Sequence, residues 1–166
     1  MYAQQVLSLI NSAERSIYMQ TQYIHPSNKD GQGEFNDLIQ ALSDAYLKRG
    51  LDVRLITSQY ETAQWIEKLK PFGLDKILKI QQRVHNKGIV VDSKTVLISS
   101  QNWSADGVLF NRDAGVIIYN ENIAQYFEKI FLFDWVNQAH QKVYDPSYPT
   151  GKSSKHKSKK LNKQNG

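Results

Sequence analysis

The sequence predicts an α/β fold, an α/β/α sandwich in which helices flank a mixed β-sheet. Segments with the apolar spacing of helices alternate along the chain with short apolar runs typical of strands. Such alternation favours a sheet with helices packed on both faces. The chain has 166 residues, 40% of them hydrophobic, and its 3 Trp, 9 Tyr and 6 Phe are ample for one buried core. A wholly disordered or fibrous chain is therefore excluded.

The pattern places these elements in a definite order. Helical spacing predicts a first helix near Val6–Ala13, and the run Ser16–Ile24 predicts one strand before a polar loop from Pro26 to Gly33. A second helix over Phe35–Leu47 ends before Gly50, which suits a C-terminal cap. The rest of the pattern predicts the strand Val53–Thr57, the helix Glu61–Leu69, the strands Ile77–Gln82, Gly88–Val91, Thr95–Ser99 and Ala114–Tyr119, and the helix Ile123–Val136.

The net charge of +5 arises at the C-terminus. Residues 151–166 contain six lysines and no acid, which leaves 15 of the 21 basic residues against 16 acids in the rest of the chain. We expect a folded domain over residues 1–145 and a disordered basic tail over residues 146–166, because the tail is too polar to bury apolar surface. The tail either binds polyanions or is only solvated.

The composition also bounds the functional class. The absence of cysteine excludes disulfides and thiolate metal sites. No apolar run approaches the ~20 residues that span a bilayer, and the N-terminus lacks a signal-peptide pattern. We therefore expect a soluble chain with no transmembrane segment and no signal peptide, with the cytoplasm favoured. No His/Asp/Glu cluster has the spacing of metal ligands, so no metal or other cofactor is expected.

The segment 83–92 carries polar residues where a buried strand is expected. If that strand begins near His85, its alternation places His85, Lys87 and Ile89 on one face, with imidazole and ammonium side by side. The following residues are aliphatic, as in a strand buried on both faces. The alternative is a strand end at which both polar side chains are simply hydrated.

A second polar cluster follows the next predicted strand. Ser100 and Asn102 are short donors suited to phosphate oxygens, and Asp113 offers a carboxylate just before the last strand. With His85 and Lys87 they supply the parts of a phosphate-transfer site. A neutral imidazole attacks phosphorus, a carboxylate holds the other ring nitrogen, and fixed donors stabilise the developing oxyanion.

These residues resemble the signature of the phospholipase D superfamily, which reads His-x-Lys, four residues, Asp, six residues and Gly-Ser-x-Asn. Five of the six specified residues match and every spacing agrees, at positions His85, Lys87, Asp92, Ser99, Ser100 and Asn102. The departure is serine at position 99, where glycine is usual. The resemblance covers roughly residues 3–138 and includes Gln22–Pro26, Arg49–Arg54 and Phe133–Trp135.

The resemblance implies a phospholipase D-like catalytic domain with one copy of this motif, called the HKD motif. His85 would be the nucleophile that forms a phosphohistidine, or the general acid for the leaving group. Lys87 and Asn102 would hold the phosphoryl oxygens, with Ser100 as a further phosphate contact. Asp113 would hydrogen-bond the histidine ring.

The same resemblance implies a partner, because the family's active site combines two motif copies. A second HKD module would come from a homodimer or from the other half of a longer chain. The implied activity is a metal-independent phosphodiesterase, with nucleic acid favoured as the substrate. The alternatives are a phospholipase D or phosphatidyltransferase acting on phospholipid headgroups, and a non-catalytic binding or dimerisation module. Asp92 is expected to stabilise the fold, and His25 to be exposed to solvent.

Overall fold

A computed structural model of the chain describes residues 2–26 and 33–140. Within these ranges the helices are α1 (Tyr2–Ser12), α2 (Gly33–Leu47), α3 (Ala63–Leu69) and α4 (Glu121–Asn137). The strands are β1 (Ser16–Gln20), β2 (Ile24–His25), β3 (Asp52–Ser58), β4 (Leu78–Gln81), β5 (Lys87–Val91), β6 (Thr95–Ser99), β7 (Trp103–Ser104) and β8 (Gly115–Tyr119). The predicted tail over residues 146–166, and the predicted loop except for its two ends, lie outside the described residues.

Six of these strands form a mixed sheet in the order β4-β3-β1-β5-β6-β8. β3 runs parallel to both β1 and β4, whereas β5 is antiparallel to β1, β6 to β5, and β8 to β6. α1 and α2 pack on one face, against side chains that include Ile17 and Leu55. α4 packs on the opposite face, where Phe131 stacks on Tyr18 at 5.2 Å between ring centroids. The predicted α/β/α sandwich with a mixed sheet is confirmed.

The single strand predicted over Ser16–Ile24 is wrong, because β1 ends at Gln20 and a separate short strand follows at Ile24–His25. Thr21 and Gln22 remain hydrogen-bonded to β3, from Thr21 N to Ile56 O and from Ser58 N to Gln22 O, each at 3.0 Å. β2 then pairs in parallel with β7 in a separate two-stranded sheet. β2 therefore lies beside the segment that directly follows Asn102.

α4 is apolar on two sides. Its inner side carries the buried Ala124 and Phe131. Its outer side carries four apolar residues at helical spacing, which we call the α4 stripe, and all four are exposed: Ile123, Tyr126, Ile130 and Phe133. Among the described residues, no helix combines the length and apolarity needed to cross a membrane.

The ends of several strands lie together at one end of the sheet. The C-terminal ends of β1 and β3 lie there, since Gln20 is paired with Ile56. β5 begins at the same end of the sheet and β6 ends there, because Lys87 is paired with Ser99. Ser99 is in turn paired with Gly115, the first residue of β8. Polar residues just beyond these ends are thereby brought together.

Candidate active site

The predicted catalytic and phosphate-binding residues lie together at this end of the sheet. Lys87 begins β5 and His85 lies two residues before it, while Ser100 and Asn102 lie just past the end of β6. Asp113 lies two residues before β8. Sequence positions that span 29 residues thus share one end of the sheet, through the antiparallel pairing of β5, β6 and β8.

His85 does not lie on the strand, so the predicted alternation of His85 with Lys87 along β5 is wrong. β5 begins at Lys87, and His85 is exposed in the turn that follows Arg83, whose φ is +62°. The two side chains meet nevertheless, because the turn folds back over the lysine. Lys87 Nζ lies 3.5 Å from His85 Nδ1 and donates a 2.6 Å hydrogen bond to the His85 backbone oxygen.

The ammonium of Lys87 is shielded from water. Lys87 is only 6% exposed, and this burial lowers the pKa of its side chain, although the negative charge of Asp113 acts in the opposite direction. Within the described residues, no carboxylate forms an ion pair with this ammonium. A buried cation of this kind favours the binding of an anion.

Ser100 holds the carboxylate of Asp113. Its hydroxyl donates to Asp113 Oδ1 at 2.8 Å and accepts from the backbone N–H of Ala114 at 3.0 Å. The backbone N–H of Ser100 also donates to the Ala114 oxygen at 2.9 Å. The resemblance implies a hydrogen bond that the His85 ring donates to Asp113. This bond is absent from the described contacts.

Asn102 is held through its backbone, while its side chain is left unpaired. Its carbonyl accepts from Ser104 N at 3.0 Å, and a β-carbon at Gly107 would lie only 2.3 Å from that carbonyl oxygen. Only glycine therefore fits at position 107. The buried Oδ1 of Asn102 has no hydrogen-bond partner in the described part of the chain. This oxygen could be satisfied by a group that donates a hydrogen bond.

Ser99, the departure from the usual glycine, lies against Gly115. A β-carbon on Gly115 would lie 3.4 Å from both side-chain atoms of Ser99, an ordinary contact distance, so the serine packs beside the neighbouring strand without a clash. The Ser99 hydroxyl accepts from Gln101 N at 3.0 Å and contacts the Gln101 side-chain oxygen. The extra atoms of the serine thus fill the turn that leads to Ser100.

Asp92 lies at the other end of β5, away from these groups. It is 6% exposed, and its carboxylate accepts hydrogen bonds of 2.7, 2.7 and 2.8 Å from the backbone N–H groups of Glu14, Arg15 and Ser16. Burial alone would raise the pKa of Asp92, but these donors together lower it. The contacts join the loop after α1 to the end of β5.

Two residues near the site could not be identified from the sequence. His25, predicted to be exposed, has a side chain only 21% exposed, because its ring stacks between Tyr23 and Trp65 with centroids 4.1 Å away on each side. Its Nε2 lies 3.3 Å from Oε1 of the buried Glu61, without the geometry of a hydrogen bond. The prediction failed because Trp65 and Glu61 are distant in sequence.

Tyr2 is the second such residue. Burial raises the pKa of its hydroxyl, and contacts with Ser99 and Trp103 partly offset that effect. Its position at the start of α1 gives no sequence signal that it reaches the motif. Within the described ranges, no group of three or more His, Asp or Glu residues is arranged to hold a metal ion.

Comparison with known proteins identifies the family to which the chain belongs. Residues 6–135 match the family model described as "Cardiolipin synthase, PLD-like domain". The match covers well over half of the chain, so the chain belongs to this family of phospholipase D-like domains. Members of the phospholipase D superfamily are phosphodiesterases that act on phospholipid or nucleic acid.

Individual relatives are more distant. The chain is 28% identical over 134 residues to a cardiolipin synthase of Clostridium perfringens (strain SM101 / Type A), across 76% of this chain and 26% of that protein. It is 30% identical over 141 residues to a phospholipase D of Rickettsia felis, across 80% of this chain and 62% of that protein. The chain thus spans only part of the length of both relatives.

Among solved structures, the fold is similar to that of Nuc, a phospholipase D family member from Salmonella typhimurium. The TM-score is 0.65 at 26% sequence identity, and the match covers 82% of this chain and 88% of Nuc. The shared fold therefore includes nearly the whole of that chain.

Proposed function

We propose that the chain supplies one half of a metal-independent phosphodiesterase site, with His85 as the nucleophile that forms a phosphohistidine. The observation that carries this proposal is the exposed imidazole of His85 beside the buried ammonium of Lys87, 3.5 Å from Nζ to Nδ1. A phosphoryl group placed here would meet a nucleophile and a cation that lacks a paired anion. The Nδ2 group of Asn102, at the same end of the sheet, is a further donor.

The arrangement suggests how the roles divide. In this structure Nδ1 of His85 faces the Lys87 ammonium, which is a donor, so that nitrogen must turn away from Lys87 before it can carry a proton. Attack by Nε2 needs that proton on Nδ1, and the resemblance assigns Asp113 to accept it. The leaving oxygen departs with the electrons of its bond to phosphorus and takes a proton from a second imidazole. Water or an alcohol then displaces His85 from phosphorus.

The second imidazole would come from another HKD module, either a second copy of this chain or the other half of a longer protein. The chain carries one motif. The exposed α4 stripe supports a partner, since Tyr126 is 63% and Phe133 59% exposed, and apolar stripes of this size are uncommon on isolated domains. A homodimer and a separated half remain the two forms of this proposal, and solution mass distinguishes them.

Two substrate classes fit a site that recognises a phosphodiester. Nucleic acid is supported by the similarity to Nuc across most of both chains. Phospholipid is supported by the curated relatives, which are a cardiolipin synthase and a phospholipase D. The nearly balanced charge of residues 1–150 offers little non-specific attraction to nucleic acid, so the basic tail would supply most of it.

The deciding experiment incubates the purified chain with plasmid DNA and with labelled phosphatidylcholine, with and without EDTA, while its mass in solution is recorded. The matched pair of variants is His85→Asn, within the motif, and His140→Asn, at an exposed histidine outside it. We expect cleavage of one substrate in EDTA by the wild type and by His140→Asn, either alone or, if the chain is a separated half, once a second HKD module is supplied, and none by His85→Asn. Cleavage that is lost in EDTA and returns with Mg²⁺ would contradict the mechanism.

Mixed samples test the partner. If the active unit is a homodimer, a dimer of wild type and His85→Asn holds one functional imidazole and should be silent. Activity after random reassortment should then follow the square of the wild-type fraction. If the chain is a separated half, it should be inactive alone and active when a second HKD module is supplied. A linear mixing curve from an active monomer would exclude both versions.

A further inference from the structure

Behind the turn that carries His85, on the side of the sheet covered by α4, lies a cavity of about 80 Å³. Residues that line it include Tyr18, Gln20, Asn86, Gly88 and Phe131. Asn86 is the residue between His85 and Lys87, so the peptide carrying both site residues backs onto empty space. Packing alone therefore holds this turn weakly, because the cavity is partly open and gives the turn few protein contacts on that side.

The side chain of Gln20 spans the gap. Gln20 ends β1, is 7% exposed, and accepts at Oε1 a 2.7 Å hydrogen bond from Asn86 Nδ2. Its Nε2 donates to Gln81 Oε1 at 3.0 Å and to Asp134 Oδ2 at 3.1 Å. One buried amide therefore connects the motif turn to β4 and α4.

The direction of this amide is determined by its partners. An ionised carboxylate only accepts hydrogen bonds, so Asp134 requires the Nε2 end of Gln20 to face α4. The Oε1 end must then face Asn86, which has a donor to offer. Asp134 thus orients Gln20, and Gln20 orients Asn86. All three contacts are at least partly buried, where a hydrogen bond is stronger and a lost one costs more.

We propose that Gln20 is a positioning residue for His85, acting through Asn86, a role that rests on the proposed phosphodiesterase function. Gln20 does not reach the reacting atoms. It holds the peptide between His85 and Lys87 in place, and the imidazole on that peptide makes no other hydrogen bond except its contact with Lys87 among the described residues. Displacement of a reacting group by about 1 Å costs on the order of 10²-fold in rate.

The test compares variants of the amide in the full chain, assembled with whatever second module the activity requires. Gln20→Leu and Asn86→Ala remove the bond to the turn, and each should lower kcat by about 10²-fold with a much smaller change in KM. Gln20→Glu sets two carboxylates against each other. Adding Asp134→Asn should rescue it, because the new amide on α4 would donate to the new carboxylate on β1, which still accepts from Asn86. Gln40→Leu is the control, since it breaks a comparable amide–carboxylate bond on α2.

A readout that needs no turnover separates this proposal from the proposed function. In the NMR spectrum, the ring signals of His85 should be single and sharp in the wild type and in Gln40→Leu. They should be shifted or broadened in Gln20→Leu, Asn86→Ala and Gln20→Glu, and restored in the double variant. If the wild type cleaves no phosphodiester, the proposed function fails, and the ring signals still decide whether Gln20 positions His85.

Two results would overturn the positioning role. One is a His85 ring signal that is unchanged in Asn86→Ala. Asn86 is exposed, so we expect this variant to keep the fold. The other is a Gln20→Glu/Asp134→Asn variant whose ring signal and kcat are no closer to wild type than those of Gln20→Glu alone.

Discussion

The two ends of β5 carry residues of the same motif in opposite conditions. At the C-terminal end, the carboxylate of Asp92 accepts three backbone hydrogen bonds, and its own carbonyl accepts a fourth from the Arg15 side chain at 2.8 Å. At the N-terminal end, the side chains of His85 and Lys87 hydrogen-bond only to each other's residue among the described contacts. Spacing in the sequence defines both ends equally, but hydrogen bonding distinguishes them.

The difference separates stabilising positions from reactive ones. A polar group with every partner supplied by the protein lowers the energy of the fold and has nothing left for a ligand. A buried polar group with donors left unpaired costs stability and gains partners when a ligand binds. Asp92 therefore belongs to the first kind. Lys87 belongs to the second, because it bonds only to His85 and has no carboxylate paired with it among the described residues. Four measurements would break or sharpen this division, and they are ordered by expected effect.

The largest effect is expected at the reactive end. His85→Asn should lower turnover by more than ~10³-fold, because an amide neither attacks phosphorus nor transfers a proton, and acid–base help alone is worth roughly 10²–10⁴. His85 is exposed, so the melting temperature should stay within about 1 °C of wild type. Turnover is measured alongside thermal unfolding. Activity within tenfold of wild type would remove His85 from the catalytic role.

The opposite result is expected at the other end of the strand. Asp92→Ala leaves the backbone N–H groups of residues 14–16 without their acceptor. Because the bond from Ser16 is buried while those from Glu14 and Arg15 are only partly buried, the free energy of unfolding should fall by about 1–3 kcal/mol. Urea unfolding measures the loss. Activity per folded molecule should be unchanged at a temperature where the variant is folded. A variant as stable as the wild type would refute the stabilising role of these three hydrogen bonds.

Acid should erase that difference. The pKa of Asp92 is lower in the folded chain than in the unfolded one, so its stabilisation is present above the unfolded pKa and disappears as the pH falls through the folded pKa. Urea midpoints of wild type and Asp92→Ala should therefore converge below about pH 4, the ordinary range of an aspartate. A gap that stays constant from neutral pH into that range would show that the ionised carboxylate is not responsible.

The smallest effect is expected for the stability of Lys87→Met. Because burial lowers the pKa of Lys87, the charged form destabilises the fold at neutral pH, and the wild type gains stability as the pH rises between the folded and unfolded pKa values. At pH 7 the methionine variant should unfold at a slightly higher urea concentration than the wild type. This difference in stability should shrink at alkaline pH. The variant's turnover should be lost. A methionine variant that is less stable at neutral pH would contradict the buried-charge cost.

Local pattern was sufficient for the layers of the fold and for the motif. The apolar spacing of 123–136 predicted α4 to within two residues of its observed start at Glu121, where Asn120 caps the helix by accepting from Ile123 N at 3.1 Å. The mixed sheet followed from alternating helices and strands. The family followed from the spacing of the motif, because the hairpin of β5 and β6 brings its parts together with few intervening residues.

Non-local contacts account for what the sequence could not predict. The separate strand β2 depends on its pairing with β7, at Trp103–Ser104, far along the chain. The burial of His25 depends on Trp65 and Glu61, and the orientation of Asn86 depends on Gln20 and Asp134. None of these partners lies within the local window that a periodicity samples. The placement of His85 in a turn also required knowing where β5 begins.

The position of β1 has a consequence for synthesis on the ribosome. β1 is the first strand of the chain, yet it lies inside the sheet between β3 and β5. Its pairing with β3 becomes possible once residue 58 has emerged, but its other edge stays open until residues 87–91 follow. The backbone N–H groups of residues 14–16 gain their acceptor only when Asp92 is made, 76 to 78 positions later. A nascent chain arrested before that point therefore displays an unpaired strand edge, and such edges recruit chaperones or other nascent chains.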